Sequence, residues 1–145
     1  MKRISLCFLL TFLLSACAER DARFSEQLDL AEYQGRWVVM NYWAEWCKPC
    51  LEEIPELNLL ADHHADKLVV LGVNFDGLEG EALTVVSNKF GIRFPLLLND
   101  PAQNLGFERP QVLPTTLVFD PAGKLQHTLI GPQTEKTLLD VIGAP

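Results

Sequence analysis

The chain has little positive charge and no recognisable phosphate-binding loop. Its 145 residues include 12 Lys and Arg against 19 Asp and Glu, a formal net charge of −7. An acidic domain without a basic run does not favour nucleic-acid binding, because that binding depends on neutralising phosphates. Anionic lipid head groups should repel it as well. The glycines fit neither G-x-G-x-x-G nor the P-loop, and internal repeats and low-complexity tracts are missing.

No apolar run is long enough to cross a bilayer, which takes about 20 residues. Residues 4–14 are mostly apolar; they follow a positive start at residues 1–3 and precede Leu-Ser-Ala-Cys at residues 14–17. A charged start, a short apolar core and small residues at the end are typical of a secretory signal peptide. We therefore expect residues 1–16 to be a signal peptide.

Cysteine is scarce, with four in the whole chain. Cys7 would leave with the signal peptide. The Leu-Ser-Ala-Cys ending resembles the bacterial lipobox, which would place cleavage before Cys17 and a lipid on that residue. An ordinary signal peptide cut nearby and a retained N-terminal anchor are the alternatives. Only Cys47 and Cys50 would remain in the folded domain, and export would place them in an oxidising compartment.

Hydrophobic patterning indicates a single α/β domain at residues 31–145, after an anchor and linker at residues 17–30. Early alternation of strands and helices predicts parallel strands with right-handed crossovers, and a late hairpin predicts an antiparallel edge. The result is a central mixed sheet flanked by helices. The predicted strands are 37–43, 68–75, 94–98, 115–119 and 124–130, and the predicted helices begin at Cys47 and cover 79–90, about 100–106, and 133–142.

The two remaining cysteines form a C-x-x-C motif where the first predicted strand meets the first predicted helix. A disulfide closing so small a loop removes little chain entropy, so a structural staple explains the spacing poorly. At a helix N-terminus, free amides and the helix dipole would stabilise a Cys47 thiolate. Cys50, one turn later, would act as the resolving thiol. Pro49 costs no hydrogen bond in the first turn, and Lys48 either favours the thiolate or is an exposed lysine of little effect.

These residues carry a family resemblance. Residues 46–50, with residues 42–45 before them and Leu-Pro-Thr-Thr at residues 113–116, resemble the active site of thioredoxin-fold proteins. Cys-Lys-Pro-Cys-Leu-Glu-Glu-Ile-Pro at residues 47–55 and the lipobox are most similar to the TlpA/ResA-like envelope reductases. Those proteins are membrane-anchored, and several reduce apocytochrome c cysteines. The resemblance covers about residues 30–143 and implies a thioredoxin fold with no cofactor.

The resemblance also implies how the site is built. Cys47 and Cys50 would form the redox-active disulfide, and Pro114 would be cis and face it, presenting the Leu113 backbone to a substrate strand; a trans proline at a strand entry is the alternative. Trp43 could border the disulfide, although a core position is favoured. The expected substrate-binding residues are Trp46, Leu113, Pro114 and Thr115.

Asn41 departs from the cytosolic thioredoxins, which carry a buried aspartate at this position. An amide cannot accept a proton from Cys50, so another group must do so. Glu53, three residues after Cys50, shares a helix face with it, and the resembling reductases carry a glutamate at this spacing. Burial would raise the pKa of Glu53 and suit it to proton exchange near neutral pH. The alternative is a solvated glutamate like Glu52.

The cysteine pair and the histidines also bear on other classes of function. A zinc finger is excluded because His63 and His64 are adjacent and would point about 100° apart on a helix. Cu(I) carriage by the paired thiolates is an alternative, as is a redox-inactive thioredoxin-fold binding module. The peroxiredoxin pattern, a cysteine in a Pro- and Thr-lined pocket, is missing. We expect no resident metal.

The resemblance sets the remaining expectations. Partners would be protein thiols and disulfides, a membrane electron donor of the thiol-carrier type, and the membrane itself through Cys17; the protein would be a monomer facing the periplasm. Ala18 weakly favours the outer membrane over the inner. The resemblance favours the reductase direction, whereas a stabilised thiolate favours oxidation of substrates.

Overall fold

The sheet of this protein is mixed, and its strands are joined mostly by helices. The computed structural model describes residues 24–25 and 28–143. The expected signal peptide and Cys17 lie outside them. Over the described residues the strands are β1 (Phe24–Ser25), β2 (Trp37–Trp43), β3 (Leu68–Asn74), β4 (Leu96–Leu97), β5 (Thr115–Phe119) and β6 (Leu125–Ile130). The helices are α1 (Lys48–His63), α2 (Gly80–Lys89), α3 (Ala102–Leu105) and α4 (Glu135–Ile142), and a 3-10 helix covers Leu30–Tyr33.

The strand order across the sheet is β1-β4-β3-β2-β5-β6. β2, β3, β4 and β1 run parallel to one another, while β5 is antiparallel to both β2 and β6. This arrangement confirms the predicted α/β class, with a mixed sheet and an antiparallel hairpin at one edge. None of the helices in the described ranges is long and apolar enough to cross a membrane.

The central strand β2 is buried on both faces of the sheet. Val39 and Trp43 pack in the core that also receives side chains of α1, α2 and α4. Met40 and Tyr42 point the other way, into a second core that includes Leu28. Burial on both faces explains why β2 reads as a continuous apolar and aromatic run. β2 ends at Trp43, and α1 begins at Lys48 after a four-residue connection.

The fold begins earlier than the expected boundary at residue 31. β1 pairs in parallel with β4, and Leu28 is buried in the second core, so part of the segment at 17–30 belongs to the sheet. A two-residue edge strand shows no periodicity, so pattern reasoning could not find it. α3 is also shorter than expected: it begins at Ala102, whose N–H donates to Asp100 Oδ1 at 3.0 Å.

Gly72 lies where β3 passes closest to its neighbours. A Cβ at this position would lie 2.5 Å from Leu96 Cδ2 and 2.9 Å from Phe94 Cε2. We expect Gly72→Ala to lower the free energy of unfolding by about 1–3 kcal/mol, because overpacking forces side chains out of their rotamers. Urea denaturation of the oxidised protein measures this.

A second substitution tests the stated cause. Leu96→Val shortens the side chain that a Cβ on Gly72 would contact most closely. The double variant should therefore lose less stability than the two single variants added together. Full additivity would show that the loss comes from something other than this contact.

Candidate active site

The cysteine pair stands at the junction between β2 and α1. Cys47 is the N-cap residue of α1 in extended backbone conformation, and its Sγ accepts a hydrogen bond from the Cys50 N–H at 3.3 Å. The two residues form a disulfide with an S–S distance of 2.01 Å. Cys47 is 5% exposed and Cys50 is fully buried. The first cysteine is thus the one that a partner can reach.

Trp46, which precedes Cys47 in the chain, presents a large exposed aromatic side chain. Its side chain is 65% exposed, and its indole N–H donates to Asp76 Oδ2 at 2.9 Å. The ring also meets Phe75 edge to face, with centroids 6.3 Å apart. These contacts hold a large aromatic surface in water, an arrangement typical of contact sites. Trp43, in contrast, is fully buried in the core.

Lys48 and Pro49 occupy the exposed face of the first turn of α1. Lys48 Nζ lies 3.8 Å from a carboxylate oxygen of Glu52, and both side chains are well exposed. An ion pair of this kind contributes little in water. The structure therefore gives Lys48 no strong fixed partner next to the disulfide.

The loop before β5 contains a cis peptide bond between Leu113 and Pro114. The cis form is the one implied by the family resemblance. Pro114 is buried, and its carbonyl accepts the Gly131 N–H at 2.9 Å. Thr115 pairs with Tyr42 on β2, and its hydroxyl donates to the Val112 carbonyl at 2.7 Å. The register with β2 brings this loop to the same end of the sheet as the cysteines.

Arg109 precedes the cis-proline loop in the chain and contacts Asp100 and Phe75. Its Nε donates to Asp100 Oδ2 at 2.6 Å, and its Nη2 donates to the Phe75 carbonyl. The guanidinium also lies 3.9 Å from the Phe75 ring centroid. Phe75 thus contacts both Trp46 and Arg109. Sequence reasoning missed these residues, because neither motif nor spacing relates Phe75 to Arg109.

Glu53 lies inside the protein beneath the first turn of α1. It is 2% exposed. Its Oε1 accepts the Asn41 Nδ2–H at 2.6 Å, and its Oε2 accepts the backbone N–H of Gln133 at 2.8 Å. Burial raises the pKa of Glu53 to about 7, against the opposing effect of the two hydrogen bonds. The alternative of a solvated glutamate is wrong for Glu53, whereas Glu52 is exposed.

Asn41 connects Glu53 to the sheet. It lies opposite Thr116 in the register of β2 and β5. Its Nδ2 donates both to Glu53 and to Thr116 Oγ1, the latter at 3.1 Å. Its Oδ1 is buried and has no hydrogen-bond partner. Asn41, which stands where the cytosolic thioredoxins carry a buried aspartate, therefore donates a hydrogen bond to Glu53.

The two adjacent histidines belong to a different contact. His63 Nδ1 and His64 Nε2 lie 2.9 Å and 3.2 Å from the same Glu135 oxygen and so link the end of α1 to α4. In the part of the chain that the structure describes, no three His, Cys, Asp or Glu side chains are grouped to hold a metal ion.

An α/β fold with a C-x-x-C disulfide at a helix N-terminus and a cis-proline loop beside it defines a thioredoxin-like protein. The family model described as the AhpC/TSA family matches residues 14–128. The chain belongs to this family.

Named relatives agree with the resemblance to ResA. The thioredoxin-like protein YneN of Bacillus subtilis is 33% identical over 78% of this chain and 67% of its own length. The thiol-disulfide oxidoreductase ResA of Bacillus thuringiensis is 29% identical over 78% of this chain and 65% of its own length. The chain thus spans about two thirds of the length of these relatives.

A solved structure shows the same fold. A secreted thiol-disulfide isomerase from Corynebacterium glutamicum is 25% identical, with a TM-score of 0.69 over 79% of this chain and 73% of that one. The relatives' names and the disulfide together support thiol–disulfide redox chemistry at this site.

Proposed function

We propose that this protein is a thiol–disulfide oxidoreductase that reduces protein disulfides in the bacterial envelope through Cys47 and Cys50. The observation that carries the proposal is the disulfide at the start of α1, in which Cys47 keeps 5% of its surface exposed and Cys50 is fully buried. A fully buried pair would give a partner no access, and a fully exposed pair would have no protected resolving thiol.

The reaction proceeds by two exchanges. The Cys47 thiolate attacks a substrate disulfide, forms a mixed disulfide and releases one substrate thiolate. Cys50 then gives its proton to the Glu53 carboxylate and attacks the Cys47 sulfur. The second substrate thiolate leaves, the Cys47–Cys50 disulfide forms, and Glu53 holds the proton. Two electrons pass from the protein to the substrate.

Glu53 suits this proton transfer for two reasons. It follows Cys50 by one turn on the buried side of α1, and its pKa of about 7 lets it exist in both forms near neutral pH. A carboxyl at an ordinary pKa would be a weaker base. Lys48 and Pro49 tune the pair from the exposed side of the turn.

The substrate docks on the rim that surrounds Cys47. Trp46 supplies exposed apolar area, and the Leu113 backbone beside the cis Pro114 pairs with the extended substrate chain, with Thr115 holding the loop in place. Such backbone pairing suits varied protein disulfides, because it reads the main chain rather than side chains. Apocytochrome c thiols are one substrate class within this proposal.

The location follows from the N-terminal sequence. A lipid on Cys17 anchors the domain at the periplasmic face of a membrane, the outer membrane being favoured over the inner, and a thiol carrier in the membrane returns the electrons. The domain acts as a monomer. The similarity to a secreted thiol-disulfide isomerase supports export of this chain. The charged start and short apolar core at residues 1–14 are the sequence features that support it.

A glutathione redox titration of residues 17–145 tests the direction of the reaction. We expect a potential near that of thioredoxin, about −270 mV, together with dithiothreitol-driven reduction of insulin. A potential near that of DsbA, about −120 mV, would make the protein an oxidant. Tight Cu(I) binding without any disulfide exchange would replace the proposal with metal carriage.

A further inference from the structure

Asn41 donates a hydrogen bond to Glu53, and the oxygen of the same amide has no hydrogen-bond partner. Asn41 is fully buried. One end of its amide donates to Glu53 at 2.6 Å and to Thr116 at 3.1 Å, and the other end, Oδ1, has no partner. A buried acceptor without a donor is costly. The unpaired oxygen lowers the stability of the fold, so stability does not explain this orientation of the Asn41 amide.

Protonation of Glu53 creates a conflict at this contact. Glu53 Oε2 accepts from the Gln133 backbone N–H, which can only donate; a carbonyl oxygen accepts more strongly than a hydroxyl oxygen, so protonation at Oε1 preserves this bond. Oε1 then carries an O–H that faces the Asn41 NH₂ group, donor against donor at 2.6 Å. A carboxylate is satisfied by this orientation of the amide, and a carboxylic acid is not.

We propose that the Asn41 amide inverts when Glu53 gains a proton, so that Asn41 is a positioning residue for both protonation states of Glu53. After inversion Oδ1 stands where Nδ2 stood and accepts from Glu53 Oε1–H. Thr116 fits either orientation, since its hydroxyl accepts from Nδ2 in one and donates to Oδ1 in the other. One end of the amide lacks a partner in both orientations, so inversion exchanges one unmet group for another.

The consequence for the reaction rests on the proposed function. Glu53 acts as the base when Cys50 attacks, and it must release that proton before the next turnover. An aspartate at position 41 would repel the ionised glutamate, and an apolar residue would satisfy neither form. The charged and titratable groups facing Glu53 are few: Cys50 on its own helix titrates once reduced, while Asn41, Thr116 and the Gln133 N–H are uncharged.

NMR of the oxidised, isotopically labelled protein tests the inversion without any substrate or thiol. At pH 9 we expect nuclear Overhauser effects between the Asn41 side-chain amide protons and the Glu53 side chain. At pH 5 these should vanish, with the same midpoint as the Glu53 carboxyl carbon. Amide protons that keep their contacts to Glu53 while it protonates would overturn the proposal.

The Glu53→Gln variant is the matched control. Its side-chain oxygen must face the Gln133 N–H, so its own NH₂ faces Asn41, as the O–H of protonated Glu53 does. We expect the inverted amide at every pH in this variant. Retention of the pH 9 contact pattern would contradict the inversion.

Asn41→Asp supplies the functional readout. Two carboxyls in contact disfavour double ionisation, which raises the pKa for loss of the second proton, so the pH midpoint of insulin reduction should rise by about one unit or more. An unchanged midpoint would remove Asn41 from the reaction. A wild-type protein that shows the inversion but reduces no insulin would refute the proposed function and leave the inversion standing.

Discussion

Replacing Cys50 with serine should stop turnover and leave the protein bound to its substrate. The Cys47 thiolate can still attack a disulfide, but no second sulfur is present to release the mixed disulfide. We expect the rate of insulin reduction to fall by about 10³-fold or more. Mass spectrometry under non-reducing conditions should show the variant joined covalently to an insulin chain.

The matched control is Cys47→Ser, which removes the reachable sulfur. Cys50 is fully buried, so this variant should neither turn over nor trap substrate. Trapping by Cys47→Ser and not by Cys50→Ser would reverse the roles of the two cysteines. Both variants should stay folded, because a disulfide that closes so short a loop contributes little stability.

The stability of the oxidised protein should fall as pH rises from about 4.5 to 7 because of Glu53. The pKa of Glu53 is about 7 in the folded protein and 4.5 for an ordinary glutamate, so between these pH values the unfolded chain releases a proton that the folded protein keeps. The folded state binds more protons, and stability therefore decreases with rising pH. Each pKa unit corresponds to about 1.4 kcal/mol, which puts the loss at up to about 3 kcal/mol.

Glu53→Gln removes the contribution of Glu53 to the pH dependence of stability, since an amide does not titrate. The difference in free energy of unfolding between variant and wild type should grow in favour of the variant by up to about 3 kcal/mol from pH 4.5 to pH 8. Urea denaturation of both oxidised proteins at the two pH values measures it. Under the proposed mechanism, insulin reduction by the variant should be slower, because Cys50 would lose its base.

Glu52→Gln is the control for this experiment. The residue is a neighbour on the same helix and is exposed. Its stability difference from wild type should stay constant within a few tenths of a kcal/mol over the same pH range. An equal slope for both variants would show that Glu53 does not carry the pH dependence.

The strand and helix pattern of the domain was predictable because buried segments show a recognisable spacing of apolar residues in the sequence. β2 is buried on both faces and reads as a continuous apolar run, and α1 begins at the cysteine motif with apolar residues every three to four positions. Two features show no such pattern in the sequence. β1 has two residues, too few for a period, and Arg109 reaches Phe75 across 34 residues of sequence.

The sequence by itself determined the cysteine motif, its position between a strand and a helix, and the proline that precedes β5, because each is written in adjacent residues. Only the tertiary structure decided the state of Glu53. Its two hydrogen-bond donors come from β2 and from Gln133 in the segment before α4, 12 and 80 positions away. The free energy of a buried carboxyl depends on what surrounds it in space, and adjacent residues do not record that.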